Sequence, residues 1–278
     1  MIHAGPPAAS RAWHRHPFRG IVLRSRHAPD PEETAVTSVL DSAHAPAPAD
    51  QTGADVIVAA RSEEQPHEKL PGTIYTTAEK VEKEGRRALP VKADLSKDED
   101  IENLVKVAMA EFGRVDILVN NAAILFPGKF HELPFRRFDL TYRIVLRAPA
   151  LLTHMLLPQM IERGSGTVIN ISSIAADMTG ADDVAYAMWK LALRKMAEGI
   201  AEENKDNGIT AFSLSPVSGV ATPGLLFWNP LESIPPDQLE PTDWMGRCAV
   251  FLCSERARKY SGQHFYTKDL LQGPAKGF

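Results

Sequence analysis

The sequence predicts an α/β fold built on a doubly wound parallel sheet, and three observations carry this prediction. From Gly53 onward, short apolar runs of strand length alternate with longer two-faced segments of helix length. That alternation is typical of a parallel sheet covered by helices on both faces. Several apolar runs end in polar residues, as expected where ligands bind at the carboxyl ends of strands. A chain of 278 residues is also short enough to form one such domain.

We expect eleven alternating elements in residues 53–278, with strands assigned to apolar runs and helices to segments with one apolar face. The helix at Asp98 also begins with three acidic residues, which the helix dipole favours. In chain order the elements are strand Ala54 to Ala60, helix Thr73 to Glu84, strand Ala88 to Ala93, helix Asp98 to Phe112, strand Val115 to Val119, helix Arg136 to Ile161, strand Gly166 to Ile171, helix Val184 to Glu203, strand Ile209 to Leu214, helix Thr242 to Cys253 and strand Gln263 to Thr267.

Residues 1–52 differ in composition and are expected to be an atypical, largely irregular N-terminal segment. They are rich in Ala, Pro, Arg and His, and the prolines interrupt any long helix. Only Gly20 to Leu23 is expected as a strand and Thr34 to Leu40 as a short helix. Three interpretations stay open: an irregular native segment, a transit peptide, or an altered start of the coding sequence.

Bulk properties argue against several classes of protein. The net charge of −4 gives no reason to expect binding to nucleic acid or to an anionic membrane. No uninterrupted apolar run of about 18 residues is present, so we expect no membrane span. Cys248 and Cys253 match no metal-binding or disulfide spacing, and His131 and His154 have no metal partner at useful spacing. We therefore expect a cytoplasmic protein without a metal site.

Three residues have a pattern that suits carbonyl chemistry. Tyr186 and Lys190 are four residues apart on one predicted helix, so their side chains share a face. A cation beside a phenol favours the phenolate and lowers a pKa that is ordinarily about 10. Ser173, which follows a predicted strand, can hold a carbonyl oxygen while the tyrosine donates its proton. A Tyr–Lys pair at this spacing also occurs by chance on surface helices.

These residues resemble the short-chain dehydrogenase/reductase family, in which a strand ending Asn-Asn-Ala-Gly, a serine and Tyr-x-x-x-Lys follow in this order. Here the corresponding strand runs through Val115 to Ala123 and ends in paired asparagines. The resemblance covers about Gly53 to Leu271 and implies a Rossmann-like fold. It also implies hydride transfer between a nicotinamide cofactor and a small carbonyl or alcohol substrate. In that reaction Tyr186 is the general acid, Lys190 lowers its pKa and binds the nicotinamide ribose, and Ser173 orients the substrate oxygen.

The resemblance also implies a set of cofactor contacts at the ends of strands. Arg61 follows the second strand, where a basic residue suits the 2′-phosphate of NADP and an acid would suit NAD. NAD remains the alternative cofactor. Arg61 can also be a solvated arginine without a role in binding. The side chain of Asn120, which ends a later strand, can instead cap loop backbone in a purely structural role. The implied contacts are Arg61, Asp94, Leu95, Asn120, Ala122, Lys190 and Thr222.

Two departures from the family pattern stand out. No glycine occurs between Gly20 and Gly53, and the stretch His27 to Glu33 carries acids and prolines where a glycine-rich phosphate loop is usual. The first strand–loop–helix unit is therefore expected to be degenerate or missing. Val145 occupies the position where many members carry an asparagine. The alternative to an active enzyme is a non-catalytic or defective relative with impaired cofactor binding.

The substrate and the assembly are less well defined by sequence. Leu225 to Trp228 form an apolar run in an expected lid, which suggests an apolar substrate wall or ordinary core. Because family members commonly pair their long helices, the resemblance implies a homo-oligomer.

Overall fold

The structure, a computed structural model, describes residues 19–23, 54–61, 73–178, 182–220, 222 and 238–278. Seven strands of this part of the chain form one sheet in which every neighbouring pair is parallel. The sheet order is β3-β2-β1-β4-β5-β6-β7. The strands are β1 Arg19–Leu23, β2 Asp55–Ala60, β3 Ala88–Lys92, β4 Ile117–Asn120, β5 Gly166–Ile171, β6 Ile209–Ser215 and β7 His264–Tyr266.

From β2 onward, helices separate successive strands, as the sequence predicts. Two short 3-10 segments, Ile174–Ala176 and Glu255–Tyr260, follow β5 and α6. The α-helices are α1 Ile74–Lys83, α2 Asp98–Phe112, α3 Phe135–Tyr142, α4 Ala148–Arg163, α5 Val184–Glu203, α6 Thr242–Leu252 and α7 Thr267–Gln272.

The two faces of the sheet carry separate apolar cores. On one face α2, α4 and α5 pack against residues such as Leu118 and Val168. On the other face α6 and α7 pack against the alternate residues Val119 and Ile169. Successive strand residues point to opposite faces, so each strand supplies both cores. The prediction of a doubly wound, Rossmann-like parallel sheet is thus confirmed.

The predicted strand at Gly20 to Leu23 is present as β1, which pairs with β2 on one side and with β4 on the other. The first unit therefore retains its strand. The stretch from His27 to Glu33, where the phosphate loop is usual, and the predicted helix from Thr34 to Leu40 lie outside the described residues. The division of the chain at residues 52 and 53 stays a prediction, although the sheet takes a strand from the segment before it.

The predicted single helix from Arg136 to Ile161 contains a wider turn. Arg143–Arg147 is π-helical, and the amide of Ala148 donates to the carbonyl oxygen of Arg143 five residues earlier. Pro149 follows within the first turn of α4 and has no N–H to bond to the carbonyl of Val145. A wider turn is the local response to that missing bond. Val145 itself is fully buried.

The expectation that no segment spans a membrane stays a prediction. Within the described residues, the continuous helical stretch Phe135–Arg163 is long and apolar enough to cross a membrane. About 44% of its most apolar window is buried inside the protein. A core helix of a folded domain has the same length and composition, so this stretch is weak evidence for a span.

Candidate active site at the carboxyl edge of the sheet

The structure brings Ser173, Tyr186 and Lys190 together. Ser173 follows β5 and caps the 3-10 segment, where its Oγ accepts a hydrogen bond from the amide of Ala175 at 3.2 Å. Tyr186 and Lys190 occupy successive turns at the start of α5. The side chain of Ser173 lies near enough to the Tyr186 phenol to lower its pKa. The predicted trio therefore lies at one place, beside the end of β5.

Burial controls the protonation of Tyr186. It raises the pKa of the Tyr186 phenol to about 12, while the side chain of Ser173 acts in the opposite direction and the charge of Asp183 adds to the rise. The structure thus contradicts the expectation that Lys190 lowers this pKa. Phenols that lose water contacts keep their proton unless a charge beside the oxygen compensates.

The position and the lowered pKa of Lys190 explain why its charge does not lower the pKa of Tyr186. Its side chain is 1% exposed, and its Nζ donates to the main-chain oxygen of Ile171 at 2.6 Å. The same Nζ lies 5.5 Å from the centre of the Tyr186 ring, over the aromatic face. Burial lowers the pKa of Lys190 to about 7, which weakens any electrostatic effect of its charge at neutral pH.

The first predicted cofactor contacts lie at the ends of β2 and β3. The carboxylate of Asp94 accepts hydrogen bonds from the amide and the hydroxyl of Ser96, at 3.0 and 2.7 Å. Burial acts to raise the pKa of Asp94, but these hydrogen bonds and the charges of Arg61 and Lys97 hold it below its usual value. Leu95 is buried in the core next to it. The charge of Arg61 therefore stabilises the Asp94 carboxylate at this edge of the sheet.

Asn120 links the sheet to α5. Its Nδ2 donates to Oδ1 of Asn170 at 2.8 Å, and Nδ2 of Asn170 donates to the carbonyl oxygen of Leu193 at 3.0 Å. The Oδ1 atom of Asn120 is buried without a hydrogen-bond partner in the described residues. Ala122, two residues further, is also buried. Asn120 thus has a structural role and still offers one acceptor.

The loop after β6 is held by a residue that sequence reasoning missed. Glu240 is 3% exposed, and its carboxylate accepts from the amide of Val217 at 2.5 Å and from the hydroxyl of Thr267 at 2.6 Å. Thr222, after β6, is buried, and its amide donates to the oxygen of Val220 at 2.6 Å. The predicted lid at residues 225–228 lies outside the described residues.

Arg194 was also missed. It follows Lys190 by four residues, so Tyr186, Lys190 and Arg194 share one face of α5. An arginine on the buried face of a helix is rarely left without partners, and this pattern was the available signal.

Metal chemistry has no visible basis in this part of the chain. The described residues contain no group of three or more His, Cys, Asp or Glu side chains placed to hold an ion. Cys248 and Cys253 are free, and burial raises the pKa of each thiol to about 12.

The donor set at this edge suits a nicotinamide dinucleotide. Arg61 brings a cation suited to phosphate. Among the described residues, Asn120 offers a buried acceptor without a hydrogen-bond partner, and Lys190 an amine with one hydrogen bond. Arg61 and Asn120 lie at the carboxyl ends of β2 and β4, and the amine of Lys190 reaches the end of β5; the order of the sheet reverses between β1 and β4. Ligands of doubly wound sheets bind at such positions.

Comparison with known proteins agrees with this geometry. Residues 47–225 match the family model of the short chain dehydrogenases. The chain is 37% identical over 169 residues to a short chain dehydrogenase of Pseudocercospora fijiensis, covering 60% of this chain and 52% of that protein. It is 31% identical over 228 residues to hydroxysteroid dehydrogenase-like protein 2 of Bos taurus, covering 81% and 53%. The chain spans about half the length of these curated relatives.

Solved structures show the same fold. A short-chain dehydrogenase/reductase from Burkholderia xenovorans has a TM-score of 0.72 at 25% identity, covering 90% of this chain and 94% of that one. L-sorbose reductase from Gluconobacter frateurii, solved with NADPH and L-sorbose, has a TM-score of 0.74 at 22% identity, with the same coverage. Because the matched residues include β2 to β6 and all three members of the trio, the chain belongs to the short-chain dehydrogenase family.

Proposed function

We propose that the protein is an NAD(P)-dependent oxidoreductase that transfers hydride between a nicotinamide and a small carbonyl or alcohol compound. The observation that carries this proposal is the placement of Ser173, Tyr186 and Lys190 beside the end of β5, with the last two one helical turn apart on α5. The names of the similar proteins, several of which are dehydrogenases or reductases, support the same reaction class.

The cofactor supplies the hydride, and the protein supplies orientation and a proton. Because burial raises the pKa of Tyr186 to about 12, its phenol is protonated at neutral pH and can donate to a carbonyl oxygen. The hydroxyl of Ser173, which acts on the same phenol, would hold the same oxygen. Two groups on one oxygen fix the substrate and stabilise the charge that develops there.

Lys190 serves this site in a different way. Its amine is buried beneath the ring of Tyr186 and has a pKa of about 7, so both protonation states are present near neutral pH. The ammonium form would hold ribose hydroxyls of the cofactor. The neutral form would accept a proton during turnover.

The remaining candidate contacts support NADP as the cofactor, with NAD as the alternative. Arg61 would bind the 2′-phosphate, while Asp94 and Leu95 would border the adenine. Asn120 and Ala122 would line the middle of the cofactor, and the buried Thr222 its nicotinamide end.

Assembly, location and substrate are also proposals. Three apolar side chains on α5, Val184, Met188 and Leu191, are 37 to 52% exposed, which supports pairing with a second copy of the chain. We further propose a cytoplasmic location and an apolar small-molecule substrate, without nucleic-acid or membrane partners.

The proposed function is tested in two steps. The purified protein is first titrated with NADPH and with NADH while nicotinamide fluorescence is followed, and saturable binding is expected below about 1 mM. NADPH oxidation is then measured with a panel of aliphatic and steroid ketones, with Tyr186→Phe as the control. If neither NADPH nor NADH binds saturably, the proposal is contradicted and a non-catalytic relative is favoured.

A further inference from the structure

Arg194 is a charged side chain buried beside the candidate site. Arg194 is 8% exposed and lies two helical turns beyond Tyr186 on the same face of α5. Burying a guanidinium is costly unless its N–H groups are satisfied. Its partners therefore show what this residue holds in place.

The guanidinium contacts both sides of Ser173. Its Nε donates to Oγ of Ser172 at 3.2 Å, and Nη2 donates to the main-chain oxygen of Ser173 at 2.9 Å. Its Nη1 donates to Oδ1 of Asp177 at 2.6 Å, beyond the 3-10 segment. The Oγ of Ser172 also donates to the carbonyl oxygen of Lys190 at 2.7 Å. Arg194 thus ties the Ser172 side chain, the Ser173 carbonyl and the Asp177 side chain to α5.

Asp177 is held from a second direction. The hydroxyl of Tyr266, on β7, donates to its Oδ2, and Nη2 of Arg194 lies 3.4 Å from that hydroxyl. Hydrogen bonds from Arg194 and Tyr266 lower the pKa of Asp177, so its carboxylate is charged at neutral pH. The planar fork of an arginine is pre-organised to hold several acceptors at once, which a lysine cannot do.

We propose that Arg194, together with Asp177, is a positioning residue that sets the orientation of the Ser173 hydroxyl for the substrate oxygen. This inference rests on the proposed function. Ser173 has extended backbone angles, φ −156° and ψ 155°, and its Oγ already accepts from the amide of Ala175. Fixing the carbonyl of Ser173 and the end of the 3-10 segment leaves its hydroxyl little freedom to rotate away from Tyr186.

The first test is a double-mutant cycle between Arg194→Lys and Ser173→Ala, measured as kcat in the full chain. Arg194→Lys is expected to lower kcat about 10- to 100-fold, because a misplaced group costs that much, and to change the Kd for NADPH by less than about threefold. In the Ser173→Ala background the same change is expected to lower kcat by less than about threefold. Equal losses in both backgrounds would show that Arg194 acts on general stability and would overturn the proposal.

Arg163→Lys is the matched control. Arg163 also bonds several main-chain oxygens, those of Val115 and Ser165 at 3.0 and 2.9 Å, but at the opposite edge of the sheet. We expect Arg163→Lys to leave kcat within about threefold of wild type.

Asp177→Asn is a second variant that should fold in any case, since the Asp177 side chain is 46% exposed. Asp177→Asn is expected to lower kcat in the wild-type background and to leave kcat unchanged when Ser173 is already alanine.

The second test does not need turnover. Amide hydrogen exchange of residues 174–178 is compared in the wild type, Arg194→Lys, Asp177→Asn and Arg163→Lys. Faster exchange in the first two variants but not in the third is expected, because their bonds hold this segment. If the wild type reduces no carbonyl compound, the proposed function fails, and the exchange result alone decides whether Arg194 holds the Ser173 segment. Unchanged exchange would overturn that role.

Discussion

Lys190 donates from its Nζ to the main-chain oxygen of Ile171 at 2.6 Å, so the amine is fixed at the last residue of β5. Burial lowers the pKa of Lys190 from the ordinary value of 10.5 to about 7. Between these two values the unfolded chain binds a proton that the folded chain does not. The free energy of unfolding therefore rises with pH across this window.

Replacing Lys190 by methionine should flatten this dependence. From pH 7 to pH 9.5, the free energy of unfolding of the wild type is expected to rise relative to Lys190→Met by on the order of 3 kcal/mol. Urea denaturation at the two pH values measures the difference, below the range in which the raised pKa of Tyr186 contributes. Lys195→Met is the control, because Lys195 is 82% exposed. Parallel profiles for wild type and Lys190→Met would contradict the prediction.

Tyr186→Phe should abolish most turnover and keep the fold. Removing a general acid costs about 10²- to 10⁴-fold in kcat, while the ring and its packing remain. The Kd for NADPH, followed by fluorescence, is expected to change little. Tyr75→Phe, on an exposed part of α1, serves as the matched control and should leave kcat unchanged. A Tyr186→Phe protein with wild-type kcat would remove the phenol from the mechanism.

Arg61→Ala should change the preference between cofactors. We expect the Kd for NADPH to rise about tenfold and the Kd for NADH to stay within about twofold, since a phosphate contact of roughly 1.4 kcal/mol is lost only with NADPH. The charge of Arg61 also holds the pKa of Asp94 down, so Asp94→Asn in the same assay separates the two contributions. Equal losses for both cofactors would mean that Arg61 acts through the fold rather than through the 2′-phosphate.

Glu240→Gln should loosen the loop after β6. The carboxylate accepts from both Val217 and Thr267, and a glutamine side chain offers one oxygen in place of two. A loss of about 1–3 kcal/mol in the free energy of unfolding is expected, with weaker NADPH binding. Glu255→Gln is the control: its side chain is 68% exposed and its ion pair with Arg258 should contribute little. Similar unfolding midpoints for the two variants would contradict the assigned role.

Local patterns predicted much of the fold. The limits of α2 and α5 agree with the predicted helices at both ends, because each has a continuous apolar face; a left-handed glycine also ends α2. The wider turn before α4 left no signal in the apolar periodicity, since Val145 is buried in either kind of helix. β4 begins at Ile117 rather than at the predicted Val115.

The site was harder to predict wherever partners are distant in sequence. Arg194 and Tyr266 are 72 residues apart, and Glu240 and Thr267 are 27 apart, so no short motif announces either contact. The pKa of Tyr186 was predicted in the wrong direction because spacing on a helix does not reveal burial. Asp94 was assigned to adenine by resemblance alone, whereas in the structure Ser96 takes up one of its oxygens.

The place of β1 in the sheet has a practical consequence for shortened versions of this protein. A chain starting at residue 53 would lose the partner of both β2 and β4, leaving a two-stranded piece and a four-stranded piece with facing rows of unpaired amides and carbonyls. Such a fragment would be prone to self-association, however well its remaining helices packed. Protein for crystallisation or assay should therefore keep residues 19–23, even though little else in that region resembles a dehydrogenase.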